Sequence, residues 1–218
     1  MFRVVFLLSL SFLAACQSSP KKPVNRDLTE TVWSTDKSVF ADKVKMVSDV
    51  STWNLQSKVA VSGGSLRESA NLVWRAGPEG GSLRFFGPLG AGALLINYDS
   101  SGASLVDGNK QKIEGHSVEA VLQQAVGWYL PLDALIYWVH GIPNPKYAYR
   151  YSLGVKQELS ALEQLGWELS FSKYAENKDN GFLPRSITGR RLMLINGLEE
   201  QMTIKILVKS FNFDGYRR

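Results

Sequence analysis

Apolar residues recur at two different spacings along this chain of 218 residues, and the changes of spacing outline its architecture. Between Asp36 and Val50, Phe40, Val44 and Val47 follow one another at helical intervals, with Val39 and Met46 beside them. That predicts an amphipathic helix. From Trp53 the period drops to two. In WNLQSKVAV, Trp53, Leu55, Val59 and Val61 share one face, and Asn54, Gln56 and Lys58 share the other. In SANLVWRA, Ala70, Leu72 and Trp74 fall together. SLRFF, GALLINY and ASLVD continue the pattern, and Asp107-Gly108 supplies a hairpin signal. Five strands with short connections read as an antiparallel meander.

The helical period then returns twice. Ser117 stands where it can cap VEAVLQQAV, whose Val118, Val121, Leu122 and Ala125 form one face, and Gly127 ends it. PLDALIYWVHG opens on Pro131, a first-turn residue, carries Leu132, Leu135, Ile136 and Val139 as its stripe, and closes at Gly141. Ile142-Pro143-Asn144-Pro145 breaks the chain. The last third alternates again, in WELSFSKY and in a closing hairpin of RSITGRRLMLI and QMTIKILVKSFNF around Asn196-Gly197, with AENKDNG as a polar loop. Residues 155–165 fit a strand and turn or a short helix equally well.

So many strands must close or be covered to bury one face and hide their edges. The expected fold is α+β: an incomplete, half-open antiparallel β-barrel whose α-helices cover its mouth. Such a barrel can hold an apolar ligand, because inward side chains alternate along every strand.

The chain is 44% hydrophobic and 21% charged, an ordinary globular composition. Its first residues differ from the rest. MFRVVFLLSLSFLAAC has Arg3 near its start, an apolar stretch from Val4 to Leu13 too short to span a bilayer, and Cys16, the only cysteine. This reads as a signal peptide over residues 1–15. Leu13-Ala14-Ala15-Cys16 resembles the lipobox of bacterial lipoproteins, in which the cysteine becomes the lipidated first residue. A cleaved secretory signal is the plainer alternative. Residues 16–28, polar and with two prolines, then form a lipidated, flexible tether, and residues 29–218 a single domain. With Gln17 rather than Asp after the cysteine, the lipoprotein pattern implies the outer membrane, with the domain facing the periplasm. The formal net charge of +5 is spread along the chain, which argues against a nucleic-acid partner.

Candidate chemistry is sparse, and the chain reads as non-enzymatic. His116 and His140 lack metal-ligand spacing with each other or with acids, so no metal or other cofactor is expected. His140, at a helix end, suits a cation favoured by the helix dipole. No nucleophile-elbow or phosphate-loop sequence is present. Two features stand out. Six tryptophans are many for this length, and they fit either a filled core or an apolar cavity under a helical lid. Gly87-Pro88-Leu89-Gly90 places a leucine at a turn between two strands, where polar residues are usual.

Together with the lipobox, WNLQSKVAV, ANLVWRAG, LRFFGPLGAGALLI, GWYLPLDALIYWVHGIPNP and LGWELSFSKY resemble the LolB family of outer-membrane lipoproteins. The resemblance implies a LolA/LolB-like fold and a monomeric receptor. It would accept lipoproteins from the periplasmic carrier LolA, shield their acyl chains in an apolar interior and insert them into outer-membrane lipid. By the same resemblance Cys16 is the lipid anchor, and Gly87, Pro88, Leu89 and Gly90 form the membrane-insertion loop. Trp74, Leu72, Phe85, Leu135, Trp138 and Trp167 are assigned to the acyl-chain cavity or its lid. Ala91-Gly92-Ala93 after the turn departs from the family pattern in being small and apolar. The competing reading is a periplasm-facing structural or ligand-holding lipoprotein without transfer activity.

Overall fold

The computed structural model describes residues 31–49, 52–87, 92–127, 129–178, 181–195 and 197–213. The signal peptide, Cys16 and the tether lie outside them. A short 3-10 turn (Ser38–Phe40) leads into α1 (Ala41–Asp49), whose apolar positions match the helical spacing of Phe40, Val44 and Val47.

The strands β1 (Trp53–Gly63), β2 (Leu66–Gly77), β3 (Gly80–Phe86), β4 (Leu94–Asp99) and β5 (Gly102–Val106) form the expected meander. A sixth short strand, β6 (Lys112–Gly115), extends it. Alternation places the side chains as the sequence implies: Trp53, Leu55, Val59, Val61, Leu72 and Trp74 are all buried. After the helices come β7 (Tyr149–Leu153), β8 (Leu159–Gln164) and β9 (Trp167–Ser172). The ambiguous stretch 155–165 is therefore a turn and a strand. AENKDNG, expected to be an irregular loop, instead contributes to a small separate hairpin of β10 (Ala175–Asn177) and β11 (Gly181–Leu183). The closing pair is β12 (Ser186–Ile195) and β13 (Leu198–Phe213).

Among the described residues eleven strands join in one antiparallel sheet, in the order β6-β5-β4-β3-β2-β1-β13-β12-β9-β8-β7. The long central β13 pairs with both β1 and β12, so the first and last parts of the chain are zipped together. The sheet curls without closing, leaving β6 and β7 as its edges. Each edge is partly covered, which suppresses further strand addition. Ser34 exchanges two backbone hydrogen bonds with Tyr151 of β7, at 2.8 and 2.9 Å. Helix α2 (Val118–Val126) packs against β5 and β6 at the other edge.

Helix α2 runs as its sequence signals say. The Ser117 hydroxyl accepts from the Ala120 N–H at 3.2 Å, and Gly127 ends the helix in the left-handed conformation at φ 77°. Val118, Val121 and Leu122 are buried, but Ala125 is exposed in the last turn. Helix α3 (Leu132–Val139) begins one residue after Pro131. Its first free amide, Leu132 N–H, donates to the Glu119 carboxylate of α2 at 2.7 Å, which joins the two helices and places an anion at a helix start.

The chain after α3 is held to β8 by a buried amide. Gln164 Oε1 accepts from Trp138 Nε1 at 2.9 Å and from Asn144 N–H at 3.0 Å, and its Nε2 donates to the Asn144 carbonyl at 2.8 Å. Buried polar groups need partners, and this side chain satisfies three at once. His140 differs from the sequence expectation. It is buried, its Nδ1–H donates to the Ile136 carbonyl at 2.7 Å, and its ring lies 4.8 Å from Phe211 and 5.5 Å from Trp53. Burial drives its pKa down to about 4, against a smaller upward effect of the Ile136 hydrogen bond, so it is a neutral core residue and not a helix-end cation.

A candidate acyl-chain cavity

The concave face of the sheet is packed solid in two regions and hollow in a third. At the Trp53 end of β1, Trp74 lies edge-on to Trp53 with ring centres 4.8 Å apart, and Phe211 and His140 complete the cluster. Trp74 Nε1 donates to the Tyr98 hydroxyl at 3.1 Å. Under α3, Trp138 meets Trp167 of β9 edge-on at 6.3 Å, with Trp138 tied to Gln164. Trp74, Trp138 and Trp167 are all fully buried in this filled part of the interior, and none of them lines the hollow.

The hollow lies toward the far end of β1. It is a cavity of about 360 Å³. That is roughly twice the ~150 Å³ apolar cavity known to stay dry and bind benzene, and within the usual ~300–1,000 Å³ range of ligand sites. Its walls are apolar and, apart from Phe85, aliphatic: Val59 and Val61 of β1, Leu66, Ala70 and Leu72 of β2, Leu83 and Phe85 of β3, Leu94 of β4, and Ile204 and Ile206 of β13. Leu122 and Val126 of α2, with Leu130 and Leu135, roof it. Of the residues assigned from the sequence, Leu72, Phe85 and Leu135 therefore meet at one cavity.

The hollow has a local cause. Ala70 stands where the next inward positions of β2 are Leu72 and Trp74, so the wall loses bulk along the strand. On the helical side, Val126 in the last turn of α2 is exposed while it still lines the space. Sequence reasoning missed Val59, Val61, Ile204 and Ile206 as lining residues. Their alternation marked them as inward but did not distinguish cavity wall from packed core.

Exposed lining residues mark the mouth: Glu68, Ser69, Gly92 and Val126. Among the described residues Glu68 is the one acid in the lining, and it lies at this rim. Gly87 and Gly92, the described residues on either side of positions 88–91, both line the cavity. Pro88, Leu89 and Gly90 themselves lie outside the described residues. Strands β1, β3 and β12 run in the same direction, so their last described residues point toward the same end of the sheet. The arrangement provides an apolar volume whose described lining suits a hydrocarbon.

Comparison with known proteins places this geometry among named relatives. Residues 51–210 match the family model described as outer membrane lipoprotein LolB. An outer-membrane lipoprotein LolB of Francisella tularensis subsp. novicida (strain U112) is 27% identical over 208 residues, covering 95% of this chain and 91% of that protein. Another, from Pseudomonas paraeruginosa (strain DSM 24068 / PA7), is 32% identical over 138 residues, covering 63% and 66%. Among solved structures, a domain described as an outer membrane lipoprotein-sorting protein from Vibrio parahaemolyticus superposes with a TM-score of 0.52 at 11% identity. It covers 81% of this chain and 91% of that one, a likeness of fold.

Proposed function

The chain belongs to the LolB family of outer membrane lipoproteins, and we propose that it is a receptor that accepts lipoproteins from a LolA-like periplasmic carrier and inserts them into the outer membrane. The observation that carries this reading is the apolar cavity whose lining includes Gly87 and Gly92, which flank the sequence segment containing Leu89. The acyl chains of the cargo occupy the cavity. Each methylene shielded there avoids a cost of about 0.8 kcal/mol in water, so free transfer through the periplasm is prohibitive for a chain of many methylenes. Exchange from cavity to bilayer swaps one apolar medium for another and needs no nucleotide, provided affinity rises from carrier to receptor to membrane.

Cys16 carries the lipid that anchors the protein, with the domain facing the periplasm. The residues from Cys16 to Thr31 reach at most ~50 Å when fully extended, which keeps the domain near the bilayer. Leu89 dips into that bilayer while the adjacent cavity releases its cargo. An exposed leucine is unfavourable in water and favourable in lipid. Among the described residues the lining offers no catalytic constellation.

Leu89→Glu tests the role of the loop. The variant is expected to take cargo from the loaded carrier as the wild type does and to incorporate it into membrane much more slowly. Incorporation at the wild-type rate removes Leu89 from the mechanism.

A further inference from the structure

The β12–β13 hairpin carries exposed leucines that the cavity does not use. Leu192 is 65% exposed, Leu194 73% and Leu198 65%. Strand β9 leaves β12 at Arg190, which pairs with Glu168, while β12 and β13 stay paired for five more positions, from Arg191–Met202 to Ile195–Leu198. At ~3.3 Å per residue this extension reaches roughly 16 Å past the last β9 contact. Leu192 and Leu194 face outward from the sheet, because their partners Gln201 and Glu199 alternate with the buried Met202. Exposed leucines so close together on a projecting hairpin need a partner surface.

The outward face behind them is cationic. Arg190 on β12, Lys205 on β13, Lys58 on β1 and Arg67 on β2 are exposed and lie on neighbouring strands. The outward positions of β1 and β2, and those of β13 from Gln201 to Lys209, contain no acid. Glu199 at the tip and Glu168 beside Arg190 are the nearest outward carboxylates. Leucines at a projecting tip with a basic field behind them match the two layers of an anionic phospholipid surface, hydrocarbon and phosphate. Basic residues near such a surface are drawn to its phosphates. An acidic protein would satisfy the charges but leave the leucines in water. The hairpin also projects toward the end of the sheet at which β3 finishes and Gly87 and Gly92 line the cavity.

We propose that the tip of the β12–β13 hairpin, through Leu192 and Leu194, is a second bilayer-contacting element. It holds the cavity mouth against an anionic phospholipid surface. This rests on the delivery reading above. The test uses the full-length chain reconstituted in vesicles of phosphatidylethanolamine and phosphatidylglycerol, with a photocrosslinking amino acid at Leu194 or, as control, at Ser82 near the opposite end of the outward face. Phospholipid adducts are expected at position 194 and not at 82. Equal lipid adducts at both positions, adducts to the carrier alone when it is added, or no adducts at all would overturn the proposal. A second arm measures cargo incorporation by the double variant Leu192→Ser/Leu194→Ser, expected to fall several-fold with cargo uptake intact. An unchanged rate counts against the hairpin. If wild-type protein incorporates cargo normally while position 194 never meets lipid, the hairpin proposal fails and the receptor reading stands. If it incorporates none, the receptor reading fails, and the adducts still decide the contact.

Discussion

His140 illustrates how far one side chain's surroundings can override its local sequence. It follows the last turn of α3, where a positive charge is favoured, yet it is packed among Trp53, Phe211 and Phe213. Its Nε2 has no hydrogen-bond partner, so protonation would bury an uncompensated charge. The folded-state pKa of about 4 lies below the ordinary value of 6.5, so the unfolded chain binds the proton more tightly. Stability from this group is complete above pH ~6.5, is lost as pH falls toward 4, and changes no further below both values. The loss amounts to about 3 kcal/mol. Urea unfolding of wild type across that window should show the decline, and His140→Phe should flatten it. Parallel curves for the two proteins would show that His140 is not the titrating group.

At the scale of elements, the two helices and the irregular chain after them depend on a few polar contacts. Gln164 serves Trp138 and both backbone groups of Asn144, so Gln164→Leu strands buried groups at a cost of about 1–3 kcal/mol each. Ser117→Ala removes only the cap of α2, about 1 kcal/mol. Denaturant midpoints should therefore fall clearly further for Gln164→Leu than for Ser117→Ala. The reverse order would mean that the lid is not held through Gln164. These elements were unequally legible in the sequence. Helix α2 announced both its ends through Ser117 and Gly127, and the strands from β1 to β5 announced themselves by alternation. Strand β8 did not, because Leu159, Leu162 and Leu165 recur every three residues, as on a helix. The pairing of β7 with β8 also shifts register between Ser152 and Leu153, which disturbs simple alternation. Strand β6 is too short for a period to register.

At the scale of the whole molecule, a curled sheet and two helices enclose both a solid aromatic core and an aliphatic cavity. The inward direction of Leu72, Phe85 and Leu135 was readable from periodicity, but the division between solid and hollow was not. It depends on how far α2 stands from β1 and β2, a distance set by packing between segments remote in sequence. The tryptophans show this from the other side: they signalled a large apolar interior, and they fill the part of it where ligand has no room. Ala70 lines the cavity without filling it. Ala70→Trp should occupy much of the space, leave the unfolding midpoint unchanged or raised, and weaken binding of a fluorescent acyl probe at least tenfold. Undiminished probe binding would place the ligand elsewhere.

The central claim is transfer, and one measurement meets it directly. Carrier loaded with a radiolabelled lipoprotein is mixed with the full-length chain in phospholipid vesicles, and label is followed from carrier to membrane without nucleotide. Cargo is expected to leave the carrier, pass through this protein and become resistant to extraction from the bilayer. Cargo that stays on the carrier, or that enters vesicles equally fast when the protein is omitted, would contradict it.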